Sequence, residues 1–203
     1  MLHLPMIDLI REGEQLRVRS PYHPNFPPGA RNLGGKWDRG RGEWVFDPRL
    51  EEEVRALLTR IYGWDGTYPV LISDVRVILD GLPDKWREDR SLWLLGRELA
   101  YRPGRDAPVK LGSGVKLEAG GFPPSGGSRK YPALEWKPGT VLRVFDVPVG
   151  RIEASRAKLP EAIEEIPGTR RVVQGPGQVV PAPDPAKAAR EVLRRILIPG
   201  EGG

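Results

Sequence analysis

Along residues 15–19 (QLRVR) apolar and polar side chains alternate, the period of a half-buried β-strand. Residues 20–30 (SPYHPNFPPGA) carry four prolines and read as a loop that cannot hold a regular ladder. Next, Gly34-Gly35 permits a tight bend. Arg39-Gly40-Arg41-Gly42 supplies the turn of a hairpin between Lys36-Trp37 and residues 43–46 (EWVF). Trp44 and Phe46 are two apart and share one face of the second strand. The period then lengthens: Leu50, Val54, Leu57, Leu58 and Ile61 recur at the spacing of one buried helical face. Asp47 is placed to cap this helix, Pro48 suits its first turn, and Glu51, Glu52 and Glu53 put negative charge at its N-terminus. Gly63 stands where helices end. The pattern predicts an N-terminal arm over residues 1–13 and a compact strand, loop, hairpin and helix over residues 14–64.

After a junction at residues 64–69 (WDGTYP) the texture changes. Residues 68–152 hold the runs YPVLISDVRVIL, SLWLLGRELAYR, VKLGSGVKLEA and TVLRVFDVP, separated by Gly/Pro clusters. Such spacing predicts a small β-rich domain, barrel or sandwich. Residues 84–90 (DKWREDR) have room for one or two helical turns, and residues 120–132 (GGFPPSGGSRKYP) read as an exposed loop. A short helix restricted by Pro160 is expected within residues 153–166, and a Pro/Gly linker runs on to residue 183. Residues 184–198 read as an amphipathic C-terminal helix. Asp184 caps it, and Ala188, Ala189, Val192, Leu193, Ile196 and Leu197 form its apolar stripe opposite Lys187, Arg190, Arg194 and Arg195. The fold class expected is therefore α+β: a β-β-α module, a β-rich domain and a C-terminal helix.

Composition narrows the possibilities. Hydrophobic residues make up 39% of the 203 positions, enough to build cores and to set global disorder aside. The chain has no cysteine, which excludes disulfides, thiolate metal sites and thiol nucleophiles. The N-terminal residues show no basic leader with a cleavage site, and no run approaches the ~18 apolar residues of a membrane span. A cytoplasmic protein without membrane attachment is expected. The formal charge of +5, from 32 Lys+Arg against 27 Asp+Glu, mildly favours phosphate-rich partners. Abundant Arg and Pro with only two Asn and three Gln also resembles thermophile composition, which gives the basic pI a second explanation.

Motifs for catalysis are missing. His3 and His23 are the only histidines and fit no metal-ligand spacing, and there is no GxxxxGK[ST] loop, dinucleotide fingerprint or GxSxG elbow. No cofactor or metal is expected. Enzymatic activity ranks third, left to a carboxylate-based, metal-dependent nuclease. The stronger feature lies between Arg17 and Arg49, where seven basic residues face three acidic ones and Tyr22, Phe26, Trp37, Trp44 and Phe46 interleave with them. Cations can neutralise phosphates, and exposed rings can stack on unpaired bases. A module of this size needs its large rings for a core, so Trp37, Trp44 and Phe46 are expected to be buried. The contact candidates are then Arg17, Arg19, Tyr22, Arg31, Lys36, Arg39 and Arg41. Arg129 and Lys130 join them, in a glycine-rich loop whose backbone could cradle a phosphate, with a plain β-loop as the alternative.

The run SPYHPNF, then ARNLGGKWDRGRGEWVFDPRLEEEVRALLTRIYG, resembles the HARP-type module found beside annealing helicases. It is also similar to small plasmid and phage modules with an LGGKWD…W.F core. The Tyr22 segment, residues 33–38 and the strand at Trp44 carry the likeness, which spans about 50 residues by the run quoted. It implies binding of branched or partly single-stranded DNA. No helicase motor accompanies it, so annealing does not carry over. Non-catalytic nucleic-acid binding, with DNA placed before RNA by the resemblance, is the function expected. The alternative is an interaction or assembly module of a mobile element that forms a homo-oligomer through the β-rich domain and terminal helix.

Overall fold

The computed structural model describes residues 2–182 and has an α+β architecture. Its first sheet runs in the order β1-β2-β4-β3, all neighbours antiparallel: β1 is Asp8–Glu12, β2 Gln15–Arg19, β3 Lys36–Asp38 and β4 Glu43–Phe46. Leu16 and Val18 of β2 alternate with Arg17, and Trp44 and Phe46 of β4 alternate with Val45, which puts four buried side chains on one face. That face is covered by α1 (Phe26–Asn32) and α2 (Glu51–Tyr62) through Phe26, Ala30, Val54, Leu57, Leu58 and Ile61.

Most local signals act as the sequence indicates. The Asp47 carboxylate accepts from the Arg49 amide at 2.9 Å, and a single 3-10 turn, Pro48–Leu50, leads into α2. Gly63 closes that helix at φ +87°, a left-handed conformation that L side chains avoid. Two expectations need correction. Residues 8–12 of the supposed arm are strand β1, in register with β2 from Asp8↔Arg19 to Glu12↔Gln15. The proline-rich loop contains helix α1, because Pro27 and Pro28 fall in the first turn, where a missing N–H removes no helical bond. The module is therefore β-β-α-β-β-α.

The remaining strands form two sheets around a second core. The larger has the order β13-β12-β5-β10-β9, with β11 also pairing β5; the smaller is β6-β7-β8. Their strands are β5 Val70–Ile78, β6 Ser91–Leu94, β7 Arg97–Tyr101, β8 Lys110–Leu111, β9 Val115–Ala119, β10 Val141–Pro148, β11 Ile163–Glu165, β12 Arg171–Gly175 and β13 Gln178–Pro181. Val75, Val77, Leu142 and Val144 of the larger sheet pack in one cluster with Leu92, Leu94, Leu99 and Ala100 of the smaller. Residues 84–87 make only a 3-10 turn.

The C-terminal part departs further from expectation. The helix placed within residues 153–166 is instead α3, Val149–Arg156, and β11 follows it. The linker is the β12–β13 hairpin, turning at Gly175-Pro176-Gly177, with β12 paired to β5 from Arg171↔Ile72 to Val173↔Val70. A buried ion network fastens it. Asp74 on β5 accepts from Arg171 at 2.7 Å and from Arg143 of β10 at 2.9 Å, and Asp146 accepts from Arg171 at 2.7 Å. The amphipathic helix expected at residues 184–198 lies outside the described residues. Among the described residues no helix is long and apolar enough to cross a membrane.

Candidate nucleic-acid interface

The outer face of the first sheet is set by register. Arg17 and Arg19 of β2 lie beside Glu43 of β4 and opposite Ile10 and Asp8 of β1, while Lys36↔Val45 and Asp38↔Glu43 continue the same face. Glu12, supplied by the strand that was expected to be an arm, changes the electrostatics. Arg17 is ion-paired with Glu12 at 2.8 Å and lies within 3.5 Å of Asp38 and Glu43. Arg19 meets Glu43 at 2.7 Å, Arg41 meets Glu12 at 3.0 Å, and Arg49 meets Asp47 at 2.6 Å. Backbone hydrogen bonds, that from Arg41 foremost, hold the Asp38 carboxyl below the usual carboxylate range. The side-chain hydrogen bond from Arg49 brings Asp47 down to about 2. Asp38 and Asp47 stay ionised, and the four arginines have partners.

Three cations of the hairpin region, Arg31, Lys36 and Arg39, are exposed and make no ion pair among the described residues. The same edge carries an unexpected surface ring, on the face of β3 opposite to that of Lys36. Trp37 is 48% exposed, whereas Trp44 is only 7% exposed. The two stand directly opposite in the β3–β4 register, their ring centroids 5.6 Å apart. Burial of Trp37 was the wrong expectation: β3 is the edge strand, and a ring there has a neighbour strand on one side only. The Arg31 guanidinium, in the last turn of α1, lies 5.8 Å from the Trp44 ring centroid. Arg39 is in a turn shaped by Asp38, whose Oδ1 accepts from the amides of Gly40 and Arg41 at 2.9 and 3.2 Å. Lys36 borders a groove of about 560 Å³ shared with Arg11, Gln15, Val45, Asp47 and Arg49.

No family model matches the chain, and no curated protein or solved structure matches it. The arrangement of side chains must therefore carry the functional reading.

The other sequence candidates lie apart from this ring. Tyr22, 71% exposed, packs edge-on against Trp93 of β6 at 5.8 Å, beside the junction of the two cores. Arg129 and Lys130 are exposed on the β-rich part, in the loop between β9 and β10. The backbone of that loop is no phosphate cradle. The Gly126 amide donates to Arg105 O, that of Gly127 to Glu135 Oε1 and that of Ser128 to Tyr131 O, all at 2.8–2.9 Å. Sequence reasoning also missed the Asp74–Asp146–Arg143–Arg171 network, since scattered charges leave no spacing to detect. Among the described residues no group of three or more His, Cys, Asp or Glu side chains is placed to hold a metal ion. A groove of about 880 Å³ lies elsewhere, between Leu71, Ile166, Val172 and Ala182.

Proposed function

We propose that the protein is a non-catalytic nucleic-acid-binding protein that holds unpaired bases at the β3 edge of its first sheet. The observation that supports this most is the exposed Trp37 ring backed by Trp44, with the Arg31 guanidinium over Trp44 and the unpaired Lys36 and Arg39 on the same edge strand and its turn. A base stacked on such a ring contributes about 1–3 kcal/mol, and each cation neutralising a phosphate adds a salt-dependent increment. Stacking needs an unpaired base, so single-stranded or branched nucleic acid fits better than intact duplex. DNA is placed before RNA on the HARP resemblance alone.

The test is a binding panel of labelled single-stranded, duplex and forked DNA and single-stranded RNA, titrated in salt. Single strands and forks are expected to bind most tightly. Trp37→Ala should weaken them by about 1–3 kcal/mol. Charge reversal at Arg31, Lys36 and Arg39 should flatten the slope of log affinity against log salt by about 0.7 per cation on single strands. Reversal of Lys85 and Lys158, exposed cations of the β-rich part, is the control. Equal weakening by both sets would reduce the attraction to net charge, and absence of binding at low salt would end the proposal.

A second reading, assembly with another protein or another copy, rests on a different observation. Among the described residues strand β13 is a sheet edge with Val179 and Val180 exposed, and the 880 Å³ groove adjoins it. A concentration-dependent size in sedimentation would favour that reading.

A further inference from the structure

The chain between β9 and β10 comprises residues 120–140, longer than connections in compact domains usually are, and loops of such length commonly serve function. This one is held rigidly. Arg102, 0% exposed, donates from Nε to Ala133 O at 2.7 Å and from its two Nη atoms to Ala107 O, Pro123 O and Leu134 O at 2.8–3.0 Å. Its hydrogen bonds among the described residues all go to backbone carbonyls, so a buried guanidinium ties this segment together. Gly126 and Gly127 complete the anchor. A Cβ on either would stand 2.3 Å from a carbonyl oxygen, of Ala133 and Tyr131 respectively.

The segment fixed in this way ends in an exposed turn. Ser128 N donates to Tyr131 O at 2.8 Å, and Tyr131 N to Ser128 Oγ at 3.0 Å. Its tip presents Arg129, Lys130 and Tyr131. The Tyr131 ring is 67% exposed, with Lys130 Nζ 5.1 Å from its centroid. Asp106, the nearby carboxylate, is already bound by Arg105 at 2.9 Å, leaving Arg129 and Lys130 without an ion pair among the described residues. The turn thus offers an exposed ring beside Lys130, with Arg129 two residues before it.

We infer that the Ser128–Tyr131 turn is a second contact for a single-stranded nucleic acid, with Tyr131 stacking on a base and Arg129 and Lys130 on flanking phosphates. This rests on the reading of the Trp37 edge as a nucleic-acid surface and extends it to a site with one platform on each core. Arg102 acts as the positioning residue of the turn.

The experiment measures binding of labelled oligothymidine to the full chain, its Trp37→Ala, Tyr131→Ala and Arg129→Glu/Lys130→Glu variants, with heparin as a competing polyanion. Tyr131→Ala should weaken binding about tenfold while melting like the parent, since its ring is a surface group. The double reversal should lower the salt slope by about 1.4, two single-strand phosphate contacts. Arg102→Lys should weaken oligothymidine binding while leaving the weakening caused by Trp37→Ala unchanged. If Trp37→Ala weakens binding and Tyr131→Ala leaves it within twofold, the second contact is refuted and the first stands. If heparin displaces the strand equally from the parent and from Tyr131→Ala, the turn is a charged patch without stacking, and the inference is again refuted. A parent that binds no oligothymidine overturns both readings.

Discussion

The two tryptophans of the hairpin separate burial from display within a single cross-strand pair. Trp44 points into the core against Phe26, 6.1 Å away between ring centroids, and Trp37 covers it from the edge. Trp44→Ala should destabilise the protein by about 3–5 kcal/mol, as truncation of large buried rings does. Trp37→Ala should cost only about 1 kcal/mol, the scale of one aromatic pair. Chemical denaturation of both variants checks the contrast. Equal losses would place Trp37 in the core and remove it as a stacking surface. Sequence spacing could not distinguish the two: Trp37 and Trp44 face the same side of the sheet, and only the strand order β1-β2-β4-β3 leaves Trp37 at an edge.

At the scale of elements, legibility followed locality. Helix α2 was readable because the capped 3-10 turn that leads into it, its acidic first turn, its apolar face and its terminating glycine all lie within residues 47–63. The β3–β4 hairpin was readable for the same reason. Strand β1 was not, since its partner's register, not its own alternation, defines it, and Ile10 faces outward at 58% exposure. That omission distorted the candidate site. Without Glu12, Arg17 and Arg41 counted as available for phosphate, whereas both are ion-paired to it. Strands β12 and β13 were taken for a linker because prolines and glycines dominate the local composition. The symmetric run VVQGPGQVV nevertheless carried the signal of two strands about a Gly-Pro-Gly turn. What secures the hairpin is nonlocal: Arg171 lies 97 positions from Asp74. Asp74→Ala should therefore destabilise by about 1–3 kcal/mol, because Arg143 and Arg171, both partly exposed, lose the buried carboxylate they share while Arg171 keeps Asp146. A thermal melt unchanged from the parent would show that the network does not bear on stability. Ending the chain after Arg170 should expose the β5 edge and reduce soluble yield, whereas a true linker would tolerate the cut.

For the molecule as a whole, the joint between the two cores contains a titrating group. His23 is buried, 5.9 Å from the Tyr62 ring of α2 and 5.2 Å from the Trp93 ring of β6, and its Nδ1 accepts from the Asn25 amide at 3.2 Å. Arg151 of α3 reaches across the same joint to Arg60 O at 3.0 Å. Burial, with the Arg151 charge adding to it, lowers the His23 pKa from 6.5 to about 4. The folded protein thus prefers the neutral imidazole, while the unfolded chain takes up a proton near pH 6.5. The resulting stability is fully present above about pH 6.5 and is lost progressively as pH falls towards 4. Asp74 acts in a lower window. Burial raises its pKa, but hydrogen bonds from Arg143 and Arg171 outweigh this and hold the carboxyl below its ordinary 3.8. Its contribution is present above that value and lost only as pH falls further. The melting temperature should accordingly decline by several degrees between pH 6.5 and 4, then more steeply below. His23→Gln, which keeps an acceptor for Asn25 and cannot titrate, should flatten the upper segment and leave the lower one intact. Melting curves of the two proteins across that range decide the matter. A parallel decline in His23→Gln would assign the upper segment to other groups.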